Sequence, residues 1–216
     1  MKILAIADLF VPGQVMRDAL HSLQPSRLDV IVWSHPDESE LHQRVRQIER
    51  EGPEAVKPPD GVWQAAREAE LIITHMCPIG AVLIRHATHL RTIGVCRAGL
   101  ETIAVDAARD RSVSVVNVPG RNAIAVAEFT VGLILSERRN IARAHHAIVV
   151  GGWRKVFSNH DQETELAEKT IGIIGFGAIG QLVAERLAPF NVHLLVYDPV
   201  QPSAQARQIV GQHGGE

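Results

Sequence analysis

The chain has 216 residues, a length that accommodates one large domain or two small ones. Hydrophobic residues make up 46% and charged residues 21%, an ordinary globular composition, and the formal net charge is −2. With no long basic run, the sequence disfavours nucleic acid and anionic membranes as partners. The two cysteines, Cys77 and Cys96, are too few for a disulfide framework, and no apolar run is typical of a signal peptide or a bilayer span. We therefore expect a cytoplasmic protein.

The first hundred residues alternate short apolar runs with helix-like segments. The apolar runs predict four strands, at Ile3–Ala7, Leu28–Trp33, Leu71–Thr74 and Thr92–Cys96. The segments between them predict four helices, at Gln14–Ser22, Glu38–Arg50, Val62–Ala69 and Ile79–Ala87. Strands separated by helices predict a parallel sheet that is covered on both faces. We therefore expect residues 1–102 to form one α/β domain.

A second domain is expected over residues 103–216. It opens with a short predicted helix, Asp106–Arg111, and a predicted strand, Val113–Val116. Asn122 is then placed as the N-cap of a long helix over residues 123–150, which would span about 42 Å if it is continuous. Its apolar residues spread over more than one face. This pattern favours equally a subunit interface and a helix held between two domains of one chain.

The most specific motif is Gly175-x-Gly177-x-x-Gly180, which follows an apolar predicted strand and begins a predicted helix. Gly175 permits a tight turn, Gly177 removes the Cβ that would block a pyrophosphate, and Gly180 lets the helix approach the strand closely. Asp198 ends the next apolar run at the spacing expected for a residue that accepts hydrogen bonds from a ribose. Its charge would repel a 2′-phosphate. The motif therefore predicts a Rossmann-type unit that binds NAD in preference to NADP.

A series of stretches, in chain order, carries a resemblance to one enzyme family. They are Cys77-Pro-Ile79, Leu90-Arg-Thr-Ile-Gly-Val-Cys-Arg-Ala-Gly99, Val115-Val-Asn-Val-Pro-Gly120, Ala125-Val-Ala-Glu-Phe-Thr130, Gly152-Trp-Arg154 and Leu166-Ala-Glu-Lys-Thr-Ile-Gly-Ile-Ile-Gly-Phe-Gly177. Together they resemble the D-isomer-specific 2-hydroxyacid dehydrogenases, the family of phosphoglycerate dehydrogenase and glyoxylate reductase. The resemblance implies a flavodoxin-like substrate domain followed by a Rossmann NAD-binding domain that is incomplete here. It also implies NAD-dependent oxidation of the CH–OH group of a small D-2-hydroxy acid, or reduction of the 2-keto acid.

The resemblance also assigns site residues. The loop Arg97-Ala98-Gly99 is similar to the family loop whose backbone N–H groups hold the substrate carboxylate, and Gly99 would let a small anion approach the backbone. His75 falls on the facing loop, which lines the same cleft in the family. Ala178 and Ile179 fall where backbone groups meet the pyrophosphate of NAD.

The catalytic Arg, Glu and His of the family lie beyond the residue that matches Asp198, at positions that we expect to fall outside these 216 residues. We therefore assign no catalytic residue and expect this chain alone to be inactive. No metal site is expected, because the histidines and cysteines lack the paired short spacing of zinc ligands. Two classes of function stay open. The first is an NAD-dependent oxidoreductase of which this chain is one part. The second is a non-catalytic NAD-binding or assembly protein, and a truncated inactive product is a variant of this second class. We expect a homodimer through residues 123–150.

Overall fold

The computed structural model describes residues 1–159 and 165–200, and the chain divides into two compact units, Met1–Pro119 and Gly120–Glu216. Within the described ranges, no helix is both long enough and apolar enough to cross a membrane.

The first unit is a five-stranded parallel sheet with helices between its strands. Its strands are β1 (Lys2–Ala7), β2 (Arg27–Val32), β3 (Leu71–Thr74), β4 (Thr92–Val95) and β5 (Ser114–Asn117). Its helices are α1 (Gly13–His21), α2 (Glu38–Glu51), α3 (Asp60–Ala66), α4 (Ala81–His86) and α5 (Val105–Asp110). The strand order is β2-β1-β3-β4-β5, which is the flavodoxin-like order. The structure confirms the predicted parallel α/β fold, with element ends that differ by a few residues.

The sheet is buried on both faces. Side chains of β1 alternate between two apolar clusters, Leu4 and Ile6 facing one and Ile3 and Ala5 facing the other. Because all five strands are parallel, the loops that follow their carboxyl ends share one edge of the sheet. Ligands of open α/β folds bind at this edge.

The boundary between the two compact units differs from the expected division at residues 102 and 103. α5 and β5 belong to the first unit, since β5 pairs in parallel with β4 from Thr92↔Ser114 to Val95↔Asn117. Ala108 and Val113 lie in the apolar core of the first unit. A helix and a strand can continue either of two sheets, so the local pattern did not decide between them.

The second unit contains a β-α-β arrangement and two preceding helices. Its elements are α6 (Ala123–Arg138), α7 (Ile141–Val149), β6 (Thr170–Ile174), α8 (Ala178–Leu187), a 3₁₀ turn (Ala188–Phe190) and β7 (His193–Tyr197). β6 and β7 pair in parallel from Thr170↔His193 to Ile174↔Tyr197. Ala127 of α6, Leu187 of α8 and Leu194 of β7 are fully buried in one cluster. These residues hold α6 and α8 against one another beside the β6–β7 pair.

The long helix expected over residues 123–150 is interrupted. Asn140 has a left-handed conformation with φ of 53°, so α6 ends before it and α7 begins after it. Asn tolerates this conformation better than most residues, and its Oδ1 accepts a hydrogen bond of 2.9 Å from Arg143 Nη1. Asn122 holds the N-cap position of α6 but makes no side-chain capping hydrogen bond. Gly151, with φ of 83°, follows α7 where the sequence predicts the helix end.

Candidate functional sites

The loop between β6 and α8 has a different geometry at each of its three glycines. Gly175 has φ of 91°, which would strain any other residue, and its N–H donates to the Tyr197 carbonyl oxygen at 2.8 Å. A Cβ at Gly180 would overlap the Gly175 carbonyl oxygen and lie 3.2 Å from the Gly175 carbonyl carbon. A Cβ at Gly177 would meet no atom within 4 Å. The loop therefore combines a tight turn, a close helix–strand approach and an open backbone face at Gly177.

The N-terminus of α8 is suited to an anion. The helix has ten residues and begins at Ala178, with Gly177 in the N-cap position. No side chain caps it, and its first turn carries no acidic residue. Ala178 and Ile179 are exposed. The N–H groups of the first turn and the positive end of the helix dipole thus remain open to a phosphate.

Asp198 directly follows β7 and connects it to the glycine loop. Its Oδ2 accepts a hydrogen bond of 2.5 Å from the N–H of Phe176, and its Oδ1 accepts one of 2.8 Å from the N–H of Val200. A carboxylate has about four acceptor positions, so these two bonds leave capacity for a hydroxyl group. The carboxylate is thus placed beside the glycine loop, where it can accept further hydrogen bonds.

In the first unit, the buried side chain of Asp8 contacts His75. Asp8 directly follows β1, and its Oδ2 lies 3.0 Å from Nδ1 of His75, which follows β3. The Asp8 carboxylate also accepts hydrogen bonds from the backbone N–H groups of Phe10 at 2.9 Å, Val11 at 3.0 Å and Met76 at 3.1 Å. His75 is 2% exposed and Asp8 is 3% exposed. This carboxylate therefore joins the loops after β1 and β3.

The environment of Asp8 keeps its carboxyl group ionised. Burial alone would raise its pKa, but the hydrogen bond and charge of His75, with the N–H groups of Val11 and Phe10, outweigh burial and hold the pKa below its usual value. With Nδ1 of His75 donating to this carboxylate, Nε2 is the remaining ring nitrogen. It is buried and has no hydrogen-bond partner among the described residues. Asp8 is not among the residues that we singled out from the sequence, although an acid directly after a buried strand is a usable signal.

The loop Arg97-Ala98-Gly99, which we expect to bind the substrate carboxylate, follows β4 and is hydrogen-bonded to the end of β5. The Ala98 carbonyl oxygen accepts a hydrogen bond of 2.6 Å from Asn117 Nδ2. Arg97 Nη1 lies 3.6 Å from the sulfur of Met76, the residue after His75. The structure therefore brings together the two predicted substrate loops of the first unit.

Two acidic side chains share the Arg97 guanidinium, and the sequence did not single out either of them. Nη2 of Arg97 lies 3.4 Å from Glu49 Oε1 and 3.7 Å from Glu101 Oε2. The Glu101 carboxylate also lies directly against Gly99, since its Cδ would be 2.7 Å from a Cβ at that position. The loop thus carries one cation between two carboxylates.

The predicted site residues fall into two groups, one in each unit. His75 and Arg97-Ala98-Gly99 are at the carboxyl edge of the first sheet, and the glycine loop with Asp198 is at the carboxyl end of the β6–β7 pair. Part of the second domain expected from the sequence, residues 160–164 and 201–216, lies outside the described residues.

Comparisons with known proteins agree with the geometry of the second unit. A family model described as "D-isomer specific 2-hydroxyacid dehydrogenase, NAD binding domain" matches residues 131–213, a range that includes the glycine loop and Asp198. D-3-phosphoglycerate dehydrogenase of Mycobacterium leprae is 36% identical over 74% of this chain and 29% of its own length. Hydroxypyruvate reductase of Thermotoga maritima is 37% identical over 61% of this chain and 42% of its own length. The chain therefore spans less than half the length of either relative.

A solved structure extends the similarity to both units. The NAD-dependent formate dehydrogenase of Staphylococcus aureus, solved in complex with NAD, matches with a TM-score of 0.65 and 29% identity. The match covers 93% of this chain and 57% of that one.

Proposed function

Because this chain belongs to the D-isomer-specific 2-hydroxyacid dehydrogenase family, we propose that it forms part of an NAD-dependent oxidoreductase. Its substrate is a small D-2-hydroxy acid, oxidised at the CH–OH group, or the corresponding 2-keto acid in the reverse direction. The observation that carries the proposal is the open glycine loop beside Asp198, within the range that the family model matches.

In this proposal the second unit binds and orients NAD, whose nicotinamide supplies the hydride acceptor. The N–H groups at Ala178 and Ile179, at the start of α8, would hold the pyrophosphate, and the missing side chain of Gly177 would leave room for it. Asp198 accepts hydrogen bonds from the adenosine ribose through the acceptor positions that Phe176 and Val200 leave open. Its charge makes binding selective for NAD over NADP.

We assign the carboxylate of the substrate to the loop Arg97-Ala98-Gly99. The loop follows β4 at the carboxyl edge of the sheet, where ligands of open α/β folds bind. Arg97 contacts Met76, the residue after His75, and this contact supports a shared role for the loops that carry Arg97 and His75.

We further propose a homodimer through α6 and α7 and a cytoplasmic location. In α7, whose residues are all described, no side chain is buried, and α6 exposes Phe129 to 68%. Apolar surface of this kind favours association with a second copy. A Phe129→Asp variant is expected to sediment as a monomer where the parent chain sediments as a dimer, and a monomeric parent would contradict the dimer. The low cysteine content is consistent with a reducing compartment.

The experiment that tests the proposal is a calorimetric titration of the full chain with NAD. A Gly177→Ala variant is expected to bind NAD at least about tenfold more weakly, because its methyl group would occupy the approach of the pyrophosphate. Its urea midpoint should match the parent, since the added Cβ meets no atom within 4 Å.

Gly172→Ala is the matched control, because a Cβ at Gly172 also meets no atom within 4 Å and the residue lies in β6 of the same unit. It should retain the NAD affinity of the parent. The proposal fails if the parent chain does not bind NAD, and the placement of the pyrophosphate fails if Gly177→Ala binds as tightly as Gly172→Ala.

A further inference from the structure

The loop Arg97-Ala98-Gly99 contains an internal carboxylate. Glycine lacks a side chain, so the space beside Gly99 is where a small anion could reach the backbone. In the structure, this space holds the carboxylate of Glu101, whose Oε1 would be 2.6 Å from a Cβ at Gly99. The same carboxylate lies 3.7 Å from Nη2 of Arg97. Glu101 thus occupies the space next to the backbone and also contacts the cation of the loop.

A second glycine in the first unit shows a related arrangement with a different outcome. The Glu54 carboxylate lies against Gly80, with Cδ 2.6 Å from a Cβ position, and its Oε1 accepts a hydrogen bond of 3.1 Å from the N–H of Val82. There the carboxylate is tied to the first turn of α4. The Glu101 carboxylate instead forms an ion pair with Arg97, and the side chain of Glu101 is 49% exposed. Exposed ion pairs contribute little, so Glu101 can be displaced by a ligand.

We propose that Glu101 is a specificity-determining residue of the Arg97–Gly99 loop. Its carboxylate occupies the space beside Gly99, and a monoanionic 2-hydroxy acid binds there only when Glu101 turns away. A substrate with a second anionic group, such as a phosphate ester, is disfavoured. This inference rests on the proposed function, which assigns the substrate carboxylate to this loop.

Two physical effects combine in this role. The first is competition: if only a fraction of molecules has Glu101 turned away, the apparent dissociation constant of the ligand rises by the inverse of that fraction. The second is charge. Glu49, 3.4 Å from the same guanidinium, and Glu101 together place two negative charges around one positive charge. The resulting repulsion grows with the charge of the ligand and weakens with added salt.

Glu49 allows the two effects to be separated. It contacts Arg97, as Glu101 does, and its side chain is 40% exposed against 49% for Glu101. The atoms that lie against Gly99, however, belong to Glu101. Truncation of either acid removes one negative charge beside Arg97, but only truncation of Glu101 clears the space beside Gly99.

The test uses the full chain labelled with ¹⁵N, titrated with D-glycerate and with 3-phospho-D-glycerate, a pair that differs by one phosphate. The backbone amides of Arg97–Leu100 report binding. We expect Glu101→Ala to tighten D-glycerate binding at least about threefold and to tighten 3-phospho-D-glycerate binding by a larger factor. Glu49→Ala, the matched control, should tighten D-glycerate binding less than Glu101→Ala does. The preference of the parent for D-glycerate should shrink at high salt.

Three results would overturn the inference: unchanged affinities in Glu101→Ala, equal gains in Glu49→Ala and Glu101→Ala, or no response of the loop amides to D-glycerate in any variant. A titration of the same samples with NAD, read at the amides of Gly175–Gly180, tests the proposed function separately. If NAD binds and Glu101→Ala changes nothing, the role of Glu101 is refuted and the cofactor assignment stands.

Discussion

Replacing Asp8 tests whether the buried carboxylate that joins two loops of the first unit stabilises it. In the structure, this side chain accepts three backbone N–H hydrogen bonds and contacts Nδ1 of His75. Asp8→Ala would leave three part-buried backbone N–H groups and the buried Nδ1 of His75 without their acceptor. Asp8→Asn would keep a carbonyl oxygen for the N–H groups of Phe10 and Val11 but would turn an NH₂ group toward Met76 and His75.

The expected costs follow from the number of donors that lose their acceptor. Removing one partner of a buried charged pair costs about 3–5 kcal/mol, and leaving a single buried donor unpaired costs about 1–3 kcal/mol. We therefore expect Asp8→Ala to lower the free energy of unfolding by about 3–5 kcal/mol and Asp8→Asn by about 1–3 kcal/mol. Since domains have about 5–15 kcal/mol in total, this loss is a large share of the stability of the first unit.

The contribution of Asp8 also has a definite dependence on pH. The pKa of Asp8 is lower in the folded chain than its usual value, so the stabilisation is present above the unfolded pKa, about 3.9. It is lost as the pH falls from there through the folded pKa. The difference in stability between the parent chain and Asp8→Asn should therefore be present at pH 6 and shrink as the pH falls below about 4.

Urea unfolding, followed by the fluorescence of tryptophan, measures these changes. Trp33 is buried in the first unit and reports its unfolding. Asp106→Asn is the control, because the side chain of Asp106 is 89% exposed in the same unit, and its variant should stay within about 0.5 kcal/mol of the parent. An Asp8→Ala variant as stable as Asp106→Asn at pH 6 would refute the structural role of the carboxylate. So would a stability difference between parent and Asp8→Asn that grows as the pH falls below 4.

Three further predictions concern the second unit. Asp198→Asn removes the charge but keeps an acceptor for the N–H of Phe176, so the ratio of NADP to NAD affinity should rise at least about tenfold in paired titrations; a parent chain that prefers NADP would contradict this. Gly180→Ala should lower the urea midpoint by an amount that corresponds to about 1–3 kcal/mol, because its Cβ would overlap the carbonyl group after β6, and an unchanged midpoint would show that α8 shifts freely. Leu194→Ala should lower the free energy of unfolding by about 2–5 kcal/mol, because Leu194 is fully buried. Leu195→Ala, at the half-exposed neighbouring residue, should lower it by less than about 1 kcal/mol. Equal losses in the two variants would contradict the burial pattern of β7.

The sequence alone determined what depends on neighbouring residues. The apolar run Leu71–Thr74 predicts β3 at the residues where it forms, and alternating strands and helices predict a parallel sheet. The glycine spacing predicts the tight turn at Gly175 and the close approach at Gly180, since each glycine answers a requirement of the local backbone. The role of this loop in binding NAD stays a prediction that the titration with Gly177→Ala will test.

Only the tertiary structure decided what depends on distant segments. Asp8 and His75 are 67 positions apart in sequence and meet because β1 and β3 are neighbours in the sheet. β5 belongs to the first unit because it pairs with the free edge of β4. The amino-acid composition of β5 does not indicate which sheet it will join. The ion pair between Arg97 and Glu49, 48 positions apart in sequence, is likewise set by tertiary packing. Local patterns specify backbone conformation. The partner of a side chain is set by which strands and loops are neighbours in the folded sheet.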